Sequence, residues 1–163
     1  MQDDIIVGLI EISDGIIKNA NEKFSGLALA LVNNKFDDSC IVSLRPDFIA
    51  PNYNLFADKD LLINFFVKES ELGNVVHDGF HFMNSDCNLI LSGQYFVPKP
   101  NKTAELNAYC GIRYHSGLFG SLMEGVDYIL TISSNRSVYI FENGEIVYKR
   151  LYKMNNQKRE EEK

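Results

Sequence analysis

Apolar residues in this chain arrive in short runs, most of them closed by asparagine, aspartate or glycine, and this rhythm limits the fold more than any other feature. GLALALV at 26–32 stops at Asn33-Asn34, and Cys40–Leu44 follows the turn Asp37-Asp38-Ser39, so the two read as neighbouring strands of a hairpin. NVVHDGFHFM and NLILSGQYF are separated by Asn84-Ser85-Asp86. VDYILTIS, SVYIF and EIVYK follow, the last two joined by Glu142-Asn143-Gly144, and Asn-Gly is a strong short hairpin signal. Seven strands result.

Helical spacing occupies the gaps. Ile5, Ile6, Leu9, Ile10, Ile12, Ile16 and Ile17 recur every three to four residues and predict an amphipathic helix to about Lys23, with Gly15 a weak point inside it. Asp58 reads as an N-cap before Leu61, Leu62, Phe65 and Phe66, which predicts a helix to about Glu71, ended by Gly73. Between these lies an ordered loop, 45–57, with its own aromatic anchors, and after Pro98 and Pro100 a third helix is expected over Ser116–Glu124. Strands joined by short turns favour an α/β fold of mixed α+β type: a central mixed, largely antiparallel sheet of about seven strands flanked by helices.

The chain's 163 residues, 45% of them hydrophobic, suit one domain over 1–150, with the charged end 151–163 read as a solvated, disordered tail. Cys40, Cys87 and Cys110 stand singly, which argues against a disulfide framework or a structural zinc site and for a reducing, cytoplasmic compartment. No signal-like start and no apolar stretch of bilayer-spanning length appears, so the expectation is no membrane partner. A net charge of −6 argues against duplex nucleic acid, whose binding needs a basic face, but leaves a small nucleotide open as ligand.

Three segments set polar groups beside apolar strands. In the first, His77 and Asp78 precede Gly79 and Phe80; a carboxylate and an imidazole here could hold Mn²⁺ or Mg²⁺ beside a phosphate, or take the proton of an attacking hydroxyl. A strand-end turn with exposed polar groups explains the same residues. The second runs Gly111-Ile112-Arg113-Tyr114-His115 ahead of a helix. Arg113 could fork onto phosphate oxygens near free helix-start amides, or it could simply be solvated before a helix capped by Ser116. In the third, Ser133 and Arg136 lie at a strand end and in the following turn, within reach of one terminal phosphate or of an ordinary hairpin. His81 reads as a packed or surface histidine rather than part of a site.

The order of these segments, with 35 positions from Asp78 to Arg113 and 20 more to Ser133, resembles the nucleotide-binding domain of DisA-type diadenylate cyclases. That family carries a DGA motif, a GTRHR motif and an I-S-x-R-R-N-V turn in this order, and Ser133, Arg136 and Val138 fall in matching places. The resemblance is good from about Val75 to Tyr148 and implies a DisA-N-like fold. It also implies a reaction: two ATP molecules joined into cyclic di-AMP, with Mn²⁺ or Mg²⁺, across two copies meeting face to face as a homo-oligomer.

Carried over by position, the resemblance gives Asp78 the 3′-hydroxyl and the metal, with His77 as a second ligand. Gly79 would give close approach to the nucleotide, Arg113 a phosphate contact, and Ser133 and Arg136 the departing phosphates. Gly111 belongs to the same cradle. The chain departs from the family at Phe80 (Ala there), Ile112 (Thr), Tyr114 (His) and His115 (Arg). A catalytically degenerate nucleotide sensor on the same fold is the alternative.

Overall fold

The computed structural model describes residues 2–100 and 108–152; the charged tail from 153 onward lies outside them. Three helices, α1 (Gln2–Asn19), α2 (Lys59–Glu69) and α3 (Ile112–Gly120), accompany seven strands. The strands are β1 (Leu27–Val32), β2 (Ile41–Ser43), β3 (Phe80–Met83), β4 (Leu89–Phe96), β5 (Val126–Ile132), β6 (Val138–Glu142) and β7 (Glu145–Arg150). They form one sheet in the order β2-β4-β3-β1-β5-β6-β7. Within it β1 and β3 run parallel and every other neighbouring pair is antiparallel, which is the mixed, largely antiparallel sheet expected.

The predicted hairpin of the first two strands does not form. All six residues of β1 are buried, and such a strand belongs where both faces are covered and both edges are paired. It therefore takes the middle of the sheet, between β3 and β5. The short, largely exposed β2 suits only an edge and pairs with β4, Val42 opposite Tyr95. The β6–β7 hairpin forms as predicted, with Asn143 and Gly144 at φ +49° and +79°.

Two cores lie on the two sheet faces. α1 and α2 cover one, where Leu9, Ile12 and Ile16 meet Leu62 and Phe66 over Leu29, Leu130 and Ile140. Gly15, unfavourable in an isolated helix, has a reason here: a side chain on it would come within 2.3 Å of Ile63 on α2. On the other face α3 sends Leu118 toward Phe80, Phe82, Phe96 and Phe141.

Three local expectations need correction. Asp58 precedes α2 but does not cap it; its carboxylate instead accepts the Asn54 amide of the preceding loop, at 2.9 Å. Residues 74–79 form turns, and the strand begins only at Phe80, because Asn74 accepts the Val76 amide at its side chain and the His77 amide at its carbonyl. The third helix starts at Ile112, not Ser116, and ends at Gly120. Gly117 and Leu118 are both buried in it, and a side chain on Gly117 would meet Thr131 at 2.9 Å, so the contact with β5 needs this stretch to be helical.

Candidate functional site

Three chain segments converge at one end of the sheet: the turn entering β3, the first turn of α3, and the loop leaving β5. Gly111 is the N-cap of α3 and no side chain caps the helix, so Arg113, Tyr114 and His115 occupy its first turn, beside backbone amides that the helix itself cannot satisfy. Two cavities flank this turn. One, about 370 Å³, is lined by Asp78, Phe80, Ile112, Arg113 and His115 with an aromatic wall from Tyr95, Phe96 and Phe119. The other, about 330 Å³, is lined by Gly111, Ile112, Arg113, Tyr114 and Ser133 together with Asn135 and Tyr139. Both fall in the size range of small-molecule sites, and Ile112 and Arg113 are common to them.

Of the residues singled out by sequence, His77, Gly79 and Arg136 line neither cavity. A side chain on Gly79 would stand 2.5 Å from the Gly93 Cα, so β4 backbone fills the space where a Cβ would be. Arg136, itself at φ +66°, donates from Nη2 to the carbonyls of Ala20 (3.1 Å) and Asn21 (3.4 Å) at the end of α1. A cation there suits the negative end of the helix. Ser133 accepts the Ser137 amide at 3.1 Å and shares its hydroxyl with Asn135, closing the β5–β6 loop.

Arg113 is also engaged. Its Nη1 donates to the Ser25 carbonyl at 2.6 Å and its Nη2 to the His77 carbonyl at 2.9 Å. Burial pulls its pKa down, and Asp78 acts in the opposite direction. Among the described residues nothing donates a hydrogen bond to the Asp78 carboxylate, which keeps its oxygens for other partners. His77 places Nδ1 2.6 Å from the Asn74 carbonyl, so Nδ1 carries the proton and Nε2 presents a lone pair. A hard carboxylate and one imidazole nitrogen fit Mn²⁺, and Mg²⁺ commonly takes one or two carboxylates with phosphate and water completing its shell. Among the described residues no three such groups cluster, so most ligands to an ion here would come from outside the protein.

On the aromatic side of the second cavity Tyr114, a residue of the second motif, meets Tyr139, which the strand period reads as core rather than as a stacking site. Tyr114 packs edge-on against Tyr139 with centroids 4.9 Å apart. Burial, reinforced by Cys110, raises Tyr139 to about 12, so its hydroxyl stays protonated and able to donate. Phe80 packs on Phe96 at 4.9 Å and is part of the core as well as a cavity wall.

His81 is packed, the first of the two readings its sequence position allows. It is 1% exposed, wedged against Phe66 at 5.0 Å, and burial together with the Arg113 charge pushes it down to about 3. An unfolded histidine titrates near ~6.5, so the folded protein excludes a proton that the unfolded chain binds as pH falls below that value. The stability that His81 withholds from the acid side is complete above about pH 6.5 and is lost progressively toward pH 3. We expect urea denaturation to report a loss of about 2.5 kcal/mol between pH 7 and pH 4.5, and a His81→Phe variant to lose much less over the same range. Equal losses in the two proteins would assign the acid sensitivity elsewhere.

No family model and no curated relative matches the chain. Among solved structures, a double-cysteine mutant of DacA from Staphylococcus aureus superposes with a TM-score of 0.61 at 12% identity, over 91% of this chain and 89% of that one. A hypothetical membrane spanning protein from Bacillus cereus superposes with a TM-score of 0.59 at 17% identity, over 90% of this chain. This chain spans only 61% of the Bacillus cereus chain. Among the described residues here no helix is long and apolar enough to cross a membrane. At these identities the likenesses show the fold, and the fold agrees with the one the motif order implies.

Proposed function

We propose that this domain, folded like DacA and carrying motifs in diadenylate-cyclase order, binds ATP at the first turn of α3 and joins two ATP molecules into cyclic di-AMP. The observation that carries the reading is the Asp78 carboxylate, which accepts no hydrogen bond from the described residues, in one cavity with Arg113 and the uncapped start of α3. Anionic oxygens suit the first-turn amides, and the aromatic wall of Phe80, Tyr95, Phe96 and Phe119 suits a base.

In the proposed step the 3′-oxygen of each ATP forms a bond to the α-phosphorus of the other. At each phosphorus the bond to the bridging oxygen breaks, one pyrophosphate leaves, and the attacking hydroxyl's proton passes to an Asp78, so that two pyrophosphates are released in all. A divalent ion, Mn²⁺ or Mg²⁺, held by Asp78 with His77 Nε2, would supply neutralisation of phosphate charge. Two copies are required. Ile112 (83% exposed), Tyr95 and Val97 form an apolar rim at the cavity mouth that a facing copy could cover, which supports a homo-oligomer.

A second reading, a nucleotide sensor on the same fold, is favoured by one observation: Arg113 and Arg136 both donate to backbone carbonyls. The test is incubation with ATP and Mn²⁺, product read by mass spectrometry and binding by calorimetry. Cyclic di-AMP is the expected product. ATP binding without product would support the sensor, and no binding of ATP would overturn both.

A further inference from the structure

Arg113 stands in the family's phosphate-binding position, yet its surroundings are built to receive it as a strut. Its Nη1 reaches the Ser25 carbonyl and its Nη2 the His77 carbonyl, the residue just before Asp78. The Ser25 hydroxyl lies 2.8 Å from the Ser70 carbonyl and 3.3 Å from that of His77, so the segment entering β1, the end of α2 and the Asp78 turn are tied together. The next residue, Gly26, is at φ +107°, and a side chain on it would come 2.7 Å from Arg113 Nη1. The guanidinium thus occupies space that only a glycine leaves open. Within the turn the Val76 amide and His77 Nδ1 meet Asn74 at 3.2 and 2.6 Å, while the His77 and Gly79 amides make long bonds of 3.4 and 3.3 Å to Asn74 and Val76.

We infer that Arg113 is a positioning residue, which fixes Asp78 through the His77 carbonyl, and that it is not a phosphate ligand. This deepens the reading of the site proposed above and rests on it for the role of Asp78, but the strut itself is independent of what binds. The strut explains why an arginine is suited here: two donors in one plane bridge two carbonyls, whereas an ammonium is a point charge.

The experiment uses the full chain with Arg113→Lys and Arg113→Gln. Hydrogen exchange without ligand should show amides of 76–79 exchanging about tenfold faster in both variants, with those of β5 and β6 unchanged. Calorimetry with ATP in EDTA should show affinity within about twofold of the parent, because no phosphate contact is lost. The gain in ATP affinity on adding Mn²⁺ should fall in Arg113→Lys as it does in Asp78→Asn, since a displaced carboxylate cannot hold the ion. A tenfold or greater loss of ATP affinity in EDTA would make Arg113 a phosphate ligand and overturn the inference, as would unchanged exchange at 76–79. If the parent protein binds no ATP at all, the functional reading fails and the exchange result still decides the role of Arg113.

Discussion

Replacing Asp78 by Asn should lower cyclic di-AMP formation by about a thousandfold or more while leaving the melting temperature within a degree or two, in line with removal of a general base that is also a metal ligand. The small structural cost follows from the site. Among the described residues no group donates to the carboxylate, so an amide of the same shape breaks no hydrogen bond among them. The charged Arg113, which Asp78 influences, keeps both carbonyl partners. Rates with Mn²⁺, measured beside thermal melts of the two proteins, separate the outcomes. A variant that melts normally and retains a tenth of the parent rate would remove Asp78 from the chemistry.

Gly79→Ala should be severely destabilising for a single added methyl. The added carbon would sit 2.5 Å from Gly93 Cα and 2.8 Å from Gln94 N, both backbone, and backbone cannot swing aside as a side-chain tip can. Gly93 is equally constrained, at φ +66° with Val76 side-chain atoms 2.4 Å from where its own Cβ would be. Opening this β3–β4 crossing should cost about 3 kcal/mol, or roughly 8 °C in melting temperature for a domain of this size. Differential scanning calorimetry reads it directly, and a shift below 2 °C would show that the strands separate more easily than their packing suggests. The same substitution should impair the site, because the Asp78 turn enters β3 through this residue.

The elements most legible in the sequence are those whose causes are local. α1 follows from isoleucine spacing, and the β6–β7 hairpin from Asn143-Gly144, whose positive φ angles only such residues adopt cheaply. Pairing was less legible, because it depends on how deeply a strand is buried. Nothing next to Cys40–Leu44 indicates that it must cross to β4, but the unbroken apolar run of β1 does indicate a central strand. The start of α3 was missed because Ser116 resembles a cap, while the spacing of Tyr114, Gly117 and Leu118 already marks the helix one turn earlier. For the site, motif order brought out Asp78, Arg113 and Ser133, which do line the two cavities. What each side chain does was not legible. The carbonyls that receive Arg113 and Arg136 belong to Ser25, His77, Ala20 and Asn21, and no spacing rule connects residues that far apart.

The parallel pairing of β1 with β3 has a consequence for how the molecule comes into being. Leu29 lies opposite His81, so the central register joins residues 52 positions apart and closes a loop that contains α2. Such a contact forms slowly compared with a hairpin such as β6–β7. Yet Gly26 and Asp78, at the entrances of these two strands, come together only when it forms. During refolding the hairpins should therefore gain protection first, and the capacity to engage a ligand should arrive last, in step with the final cooperative closure of the sheet.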